Sequence, residues 1–117
     1  MQKFKTQYIG EEDKLLITEL VIEGTPHTFM IDTGATINIV HNKKIKPFVL
    51  SNKTSKIKGF NGSTKASICE SLTTDEGRII KEALTADLTF LRKHIPNLKG
   101  VIGLNFLIDN NITFKFI

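Results

Sequence analysis

One tetrapeptide, Asp32-Thr33-Gly34-Ala35, combines a carboxylate with a hydroxyl and two small residues. It lies between two mainly apolar runs, 29–31 and 37–40, so its carboxylate is predicted to lie near a core, where an unpaired charge is costly. A role as general acid or base would justify a carboxylate at that position. A plain turn is the alternative, because Asp and Gly both favour turns.

The residues around this tetrapeptide follow patterns that are typical of strands. Extended, β-branched or alternating runs predict strands at 15–22, 27–31, 36–40, 78–89, 100–103 and 112–117, although the acidic run 11–14 could instead begin a helix. Asn61-Gly62 lies between two extended segments and predicts a hairpin with a type I′ turn. The best helix candidate is Leu104–Asp109, which Asn110-Asn111 stops. We therefore predict one mostly β domain over 1–117.

The composition is that of an ordinary globular domain. The chain has 117 residues, of which 40% are hydrophobic and 24% charged, within the range for a single core. No apolar run approaches the roughly 20 residues that cross a bilayer, so we expect no membrane insertion. The single cysteine, Cys69, cannot form an internal disulfide, which fits a reducing compartment. No Cys-His signature surrounds it, so we expect a structural thiol.

Charge and histidine spacing exclude several other functions. The formal charge of +4 comes mainly from lysines between 43 and 65. Lysines can form a nucleic-acid surface, but aromatic residues are few there, so we expect solvated loops and no nucleic-acid binding by this domain. The three histidines match no zinc-ligand spacing, and no phosphate-binding glycine motif is present. We therefore predict neither a metal nor a cofactor.

Three motifs in order are more specific than any one of them. Asp32-Thr33-Gly34-Ala35 resembles the active-site loop of retroviral-type (retropepsin-like) aspartic proteases, and 59–62 falls where that family carries its flap. The segment 100–107, Gly-Val-Ile-Gly-Leu-Asn-Phe-Leu, resembles the family's second signature, which leads into a short C-terminal helix. The resemblance implies an all-β, retropepsin-like closed β-barrel or sandwich with a flap hairpin, one short C-terminal helix and an obligate two-fold homodimer.

Thr36 and Leu104 indicate a subgroup. Many retroviral enzymes carry an Asp at the position of Thr36, paired with an Arg at the position of Leu104. Here both charged partners are absent together. Because both charged residues are absent, neither is left as a charge without a partner. The segment 103–107 resembles proteases of Gypsy-type LTR retrotransposons, while the retroviral-like domain of ubiquitin-linked shuttle proteins has a similar stretch and remains an alternative.

The resemblance implies an aspartic endopeptidase in which a water is activated by two carboxylates. The chain contains one Asp-Thr-Gly, so the second carboxylate must be Asp32 of another copy. The implied catalytic residues are Asp32, Thr33 and Gly34. The implied substrate-binding residues are Ala35, Met30, Ile39, Gly59, Phe60, Asn61, Gly62, Leu98 and Val101. The larger apolar members of this set could equally be simple core, and the hairpin a plain surface hairpin.

The resemblance also predicts partners and location. We expect a homodimer that cleaves an extended peptide within a Gag-Pol-like polyprotein, located in the cytoplasm within a virus-like particle or its precursor. The terminal strand 112–117 is predicted to interleave with its symmetry mate and the N-terminal strand. A catalytically silent domain that dimerises or holds peptides is the alternative function. Intact Asp32, Thr33 and Gly34 favour the enzyme.

Overall fold

The computed structural model describes the backbone of residues 4–9, 13–59 and 62–112, and the side chains of 15–56 and 65–112. Its strands are β1 (Phe4–Ile9), β2 (Asp13–Ile22), β3 (Thr25–Asp32), β4 (Asn38–His41), β5 (Leu50–Gly59), β6 (Gly62–Cys69), β7 (Leu72–Thr73), β8 (Ile79–Ile80), β9 (Ala83–Ala86) and β10 (Leu98–Gly103). Its helices are α1 (Thr89–Arg92) and α2 (Leu104–Asp109). Neither of these helices is long and apolar enough to span a membrane.

Eight strands form one sheet in the order β1-β2-β3-β10-β4-β9-β6-β5, and β7 pairs with β8. The pairs β3–β10 and β4–β9 are parallel, and the other pairs are antiparallel. Strand β10 lies between β3 and β4, although β3 and β4 follow each other along the chain. The loop 33–37 that joins β3 to β4 must therefore cross the end of β10.

The sheet is open over the part of the chain that the structure describes. Strand β1 pairs with β2 alone and β5 with β6 alone, whereas a barrel closes only when its edge strands pair. The predicted closed barrel is therefore wrong for these residues, because the strand order puts the two outer hairpins at opposite edges. The structure is mostly β, consistent with a retropepsin-like all-β fold.

A second short helix interrupts the segment that was predicted as one strand over 78–89. Strand β9 ends at Ala86, and the Asp87 carboxylate then accepts hydrogen bonds from the backbone N–H and the hydroxyl of Thr89. Such local side-chain bonds compete with a strand ladder and favour a turn. This turn begins α1, so the prediction of a single helix is wrong.

Strand β3 packs against two separate apolar clusters. Phe29 and Ile31 belong to the larger cluster, whereas Met30 belongs to the smaller one, which also contains Leu98 and Val101. Successive side chains of a strand point to opposite faces, so β3 is buried on both. Each fully buried large apolar side chain contributes roughly 1.5–3 kcal/mol. This packing fixes the strand that ends at Asp32.

Strands β5 and β6 form the predicted hairpin. Gly59 pairs with Gly62, so Gly62 begins β6. The Asn61-Gly62 pattern had instead predicted Gly62 as a central residue of the turn. Phe60 and Asn61 lie outside the described residues. So does the predicted C-terminal strand, apart from Ile112, which packs against the larger apolar cluster.

Candidate active site

Asp32 is the last residue of β3 and pairs with Gly103 at the end of β10. Its side chain is exposed, so the prediction that the carboxylate lies near a core is wrong. The reason is its place in the strand, because Asp32 shares a face with Met30 but lies beyond the smaller cluster. An exposed carboxylate at a strand end needs no buried counter-charge and is accessible to solvent.

The loop after Asp32 folds back onto its carboxylate. The Gly34 N–H donates to Asp32 Oδ1 at 3.0 Å, and the Ala35 N–H donates to the Asp32 carbonyl at 3.1 Å. A Cβ atom added to Gly34 would lie 3.3 Å from Asp32 Oδ1, closer than most real Cβ contacts. Glycine therefore permits this approach between the backbone and the carboxylate.

The crossing of the loop over β10 is held by two hydrogen bonds. The Leu104 N–H donates to the Ala35 carbonyl at 2.7 Å, and the Gly103 N–H donates to Asn38 Oδ1 at 3.0 Å. A Cβ atom on Gly103 would lie 2.6 Å from the Ala35 carbonyl oxygen and 2.7 Å from that of Ile37. Only glycine fits here, because both contacts are with backbone.

Asn38 is a site residue that the sequence analysis missed. It is 2% exposed, and its Nδ2 donates to the Lys81 carbonyl at 3.3 Å while its Oδ1 accepts from Gly103. Buried amides need such partners. The available signal was an amide within the otherwise apolar run 37–40, which predicts a buried polar group with a specific task.

The four apolar residues predicted to line subsites lie together. Met30, Leu98 and Val101 are buried members of the smaller cluster, and Ile39 is half-buried against it. Leu98 is fully buried, so it shapes this wall from inside the cluster. The substrate-binding role of the four residues stays a prediction.

The other predicted site residues occupy two regions. Thr33 is exposed and Ala35 is half-buried in the crossing loop beside Asp32. Gly59 and Gly62 lie at the end of the β5–β6 hairpin, which β10, β4 and β9 separate from β3 in the sheet. Their role as a flap stays a prediction.

His41 links the end of β4 to the segment that carries part of the smaller cluster. It is buried, and its Nδ1 accepts the Leu88 N–H at 3.1 Å. Burial lowers the pKa of His41, and Arg92 and Lys43 lower it further. Asp87 and a hydrogen bond with the Ala86 backbone act in the opposite direction. The lowered pKa and the hydrogen bond accepted by Nδ1 both favour the neutral ring, since a protonated Nδ1 could not accept.

The other aspartates whose side chains the structure describes have partners elsewhere. Asp75 accepts the N–H groups of Glu23 and Gly24. Asp109 pairs with Lys81 at 3.4 Å. Asp87 pairs with Lys43 and accepts from Thr89, whose hydrogen bonds lower its pKa. None of these three can therefore complete a pair of carboxylates at Asp32 without losing its own contacts.

A family comparison agrees with this geometry. The family model described as retroviral aspartyl protease matches residues 14–113, which include the Asp32 loop, the β5–β6 hairpin and the β10–α2 junction. The chain belongs to the retroviral aspartyl protease family. Membership implies an aspartic protease, and members of this family typically act as dimers on peptide substrates. A search of curated proteins finds no match.

Among residues 15–56 and 65–112, no group of three or more His, Cys, Asp or Glu side chains is placed to hold a metal ion. The exposed Asp32 carboxylate accepts one backbone hydrogen bond, and a carboxylate in this state can act as a general acid or base.

Proposed function

We propose that this protein is an aspartic endopeptidase in which the Asp32 residues of two chains form the catalytic pair. The observation that carries the proposal is the state of this carboxylate at the end of β3. It is exposed, it accepts only the Gly34 N–H within the described structure, and the described Asp75, Asp87 and Asp109 are bound elsewhere. A second copy related by a two-fold axis supplies the missing partner.

The mechanism follows from the repulsion between two close carboxylates. Two charges about 3 Å apart repel by roughly 5 kcal/mol at an effective dielectric near 20, so the pair holds one proton. The ionised carboxylate takes a proton from water, and the protonated one donates a hydrogen bond to the substrate carbonyl. Water attacks the carbonyl carbon while the protonated carboxyl passes its proton to the carbonyl oxygen, so a tetrahedral diol forms. The carboxyl that took the proton from water then protonates the leaving nitrogen, the other carboxylate takes a proton from a diol hydroxyl, and the C–N bond breaks. Thr33 is proposed to bond across the axis to the partner loop.

Exposed apolar side chains beside the loop support dimerisation. Ile37 is 43% exposed and Leu104 is 38% exposed on either side of the crossing, and Ile108 is 65% exposed one turn later on α2. In place of the ion pair of many retroviral enzymes, Thr36 and Leu104 present a surface without charge. A second copy would remove this apolar area from water, which favours association.

The sequence supports a substrate and a biological setting for the enzyme. We infer cleavage of an extended peptide with apolar residues beside the scissile bond, in a Gag-Pol-like polyprotein of a Gypsy-type LTR retrotransposon. The segment 103–107 carries this subgroup proposal. The proposed location is the cytoplasm, within a virus-like particle or its precursor, and no nucleic acid is proposed as a partner of this domain.

The first test is cleavage of a precursor that contains the domain and its flanks, at pH 5 to 6 and several protein concentrations. A dimeric enzyme gives activity that rises more steeply than linearly with concentration. Asp32→Asn and a peptide inhibitor that mimics the tetrahedral diol should abolish cleavage. Asp87→Asn is the matched control, because Asp87 is exposed but binds Lys43 and Thr89. If sedimentation shows a dimer but the precursor is not cleaved at any concentration, the result would instead support a catalytically silent dimerisation or peptide-binding module.

A further inference from the structure

Asn38 is the first residue of β4 and directly follows the crossing loop. Backbone pairing between β10 and β4 ends with Val101 opposite Ile39. At the next position toward the loop, the Asn38 side chain accepts the Gly103 N–H. The side chain thus adds a hydrogen bond beyond the last backbone pair of β10 and β4, and it does so at the residue of β10 that pairs with Asp32.

Three of the contacts that hold the Asp32 loop lie near the end of β10, and one of these three depends on a side chain. The first is the pairing of Asp32 with Gly103 in β3 and β10. The second is the bond from the Leu104 N–H to the Ala35 carbonyl. The third is the pair of bonds made by the Asn38 amide, to Gly103 and to the Lys81 carbonyl. Substitution at position 38 removes the third contact and leaves the other two.

We propose that Asn38 is a positioning residue for Asp32, which sets the crossing loop so that the carboxylates of two chains can meet. This inference rests on the proposed function. Catalytic groups must be held within about 0.5 Å of their working geometry. The loop between Asp32 and Asn38 is short, so a displacement at its far end moves the carboxylate.

Asn38→Asp is the most informative variant, because its effect depends on pH. The protonated carboxyl has the shape and hydrogen-bonding pattern of the amide, with an O–H that donates to the Lys81 carbonyl and an oxygen that accepts from Gly103. The ionised carboxylate has no donor and repels the Lys81 carbonyl oxygen. Burial among these groups raises the pKa of such a carboxyl. As pH rises, the side chain therefore changes from one that keeps the hydrogen bonds of the amide to one that loses the bond to Lys81.

The expected result is a kcat for Asn38→Asp that falls further below the wild-type value as pH rises. At pH 7.5 we expect a loss of about 100-fold, the size of effect that a 1 Å misplacement causes. At pH 5 the loss should shrink to a few-fold, and KM should stay near the wild-type value throughout. Dividing by the wild-type rate at each pH removes the titration of the Asp32 pair.

Thr74→Val is the matched control for lost stability. Thr74 is 5% exposed, and its hydroxyl accepts the Arg78 N–H beside the β7–β8 pair. Its loss should lower the midpoint of thermal unfolding without changing kcat or its pH profile below that transition. For each variant, kcat is divided by the wild-type value at the same pH. If this ratio does not change with pH and is the same for Asn38→Asp and Thr74→Val, the proposal is overturned.

Amide hydrogen exchange measures the same contact without catalysis. The Gly103 N–H should exchange faster in Asn38→Asp than in wild type at pH 7.5, and the Gly34 N–H, which bonds Asp32, should follow it. Unchanged exchange at both glycines would overturn the positioning role. Absence of cleavage by wild type at every concentration would overturn the proposed function instead, since exchange reports the loop independently of turnover.

Discussion

Asp32 and Asp75 are both exposed carboxylates that accept backbone N–H groups, but they do so in different ways. Asp75 uses both oxygens, because Oδ1 accepts from Glu23 at 3.0 Å and Oδ2 from Gly24 at 2.9 Å. These donors are 52 and 51 residues away along the chain. Asp32 uses Oδ1 alone, for the nearby Gly34, and no described residue donates a hydrogen bond to its second oxygen.

The difference separates a carboxylate that holds a turn from one for which a chemical role is proposed. Asp75 holds the turn between β2 and β3, in which Glu23 has a φ of 50° and Gly24 a φ of 80°. Its acceptor capacity serves a turn that includes a non-glycine residue in the left-handed region. Asp32 has an oxygen left for water or substrate, and its loop is held by Asn38, Ala35 and Gly103 instead.

Exchanging each carboxylate for an amide tests this comparison most strongly at Asp32. We expect Asp32→Asn to lower kcat/KM by about 10²- to 10⁴-fold, the usual contribution of a general acid or base. The free energy of unfolding should change little, because the amide oxygen still accepts the Gly34 N–H. Cleavage assays and urea unfolding of the same preparation measure both quantities. Retained cleavage would contradict a chemical role for Asp32.

Two glycines provide the next comparison, one in each region. Gly103→Ala places a Cβ against two backbone oxygens of the crossing loop, so we expect a loss of about 1–3 kcal/mol in stability and of about 100-fold in kcat. Gly24→Ala meets no atom within 4 Å but adopts a positive φ, which costs about 1–2 kcal/mol. Its kcat should match wild type. Equal activity in the two variants would refute the distinction.

At Asp75 the effect should fall on stability alone. In Asp75→Asn, one oxygen still accepts an N–H, but the new NH₂ group faces the second donor. We expect the free energy of unfolding to fall by about 1 kcal/mol, while activity per folded molecule stays unchanged. Urea unfolding and cleavage below the unfolding transition check these outcomes. Lost activity without lost stability would show that the β2–β3 turn influences the site.

A smaller effect concerns pH and the buried His41. Its pKa lies below the ordinary value of 6.5 in the folded protein, so the unfolded chain binds a proton more readily. Stability should therefore decline as pH falls below 6.5 and level off once the folded state also binds the proton. The contribution of His41 alone to the change in the free energy of unfolding cannot exceed about 1.4 kcal/mol per pH unit. His27, whose pKa burial and Lys99 also lower, has the same sign.

Urea unfolding between pH 7.5 and 5 isolates the contribution of His41 when wild type is compared with His41→Gln. The glutamine variant should lose part of the decline, because its amide does not titrate. Parallel curves for the two proteins would contradict the assignment. The comparison bears on the proposed function, because the shared-proton state proposed for two Asp32 carboxylates is favoured in mildly acidic solution, where we expect protonation of His41 to weaken the fold.

Local sequence patterns predicted several elements well. Helix α2 begins at Leu104 and ends at Asp109, as predicted, because an apolar stretch is stopped by two asparagines. The strand that precedes it and the β5–β6 hairpin also formed. Helix α1 was missed, because the side-chain bonds of Asp87 to Thr89 outweigh a strand-like pattern.

Residue types and order along the chain were enough to identify Asp32-Thr33-Gly34-Ala35, the hairpin and the β10–α2 segment, because these depend on neighbours within a few residues. Only the tertiary structure placed β10 between β3 and β4, exposed Asp32, and brought Asn38 to Gly103 and Asp75 to the distant β2–β3 turn. The physical reason is that these contacts join residues 51 to 71 positions apart, the largest separation being that of Gly103 from Asp32. Their geometry depends on how the strands pack, which local periodicity does not specify.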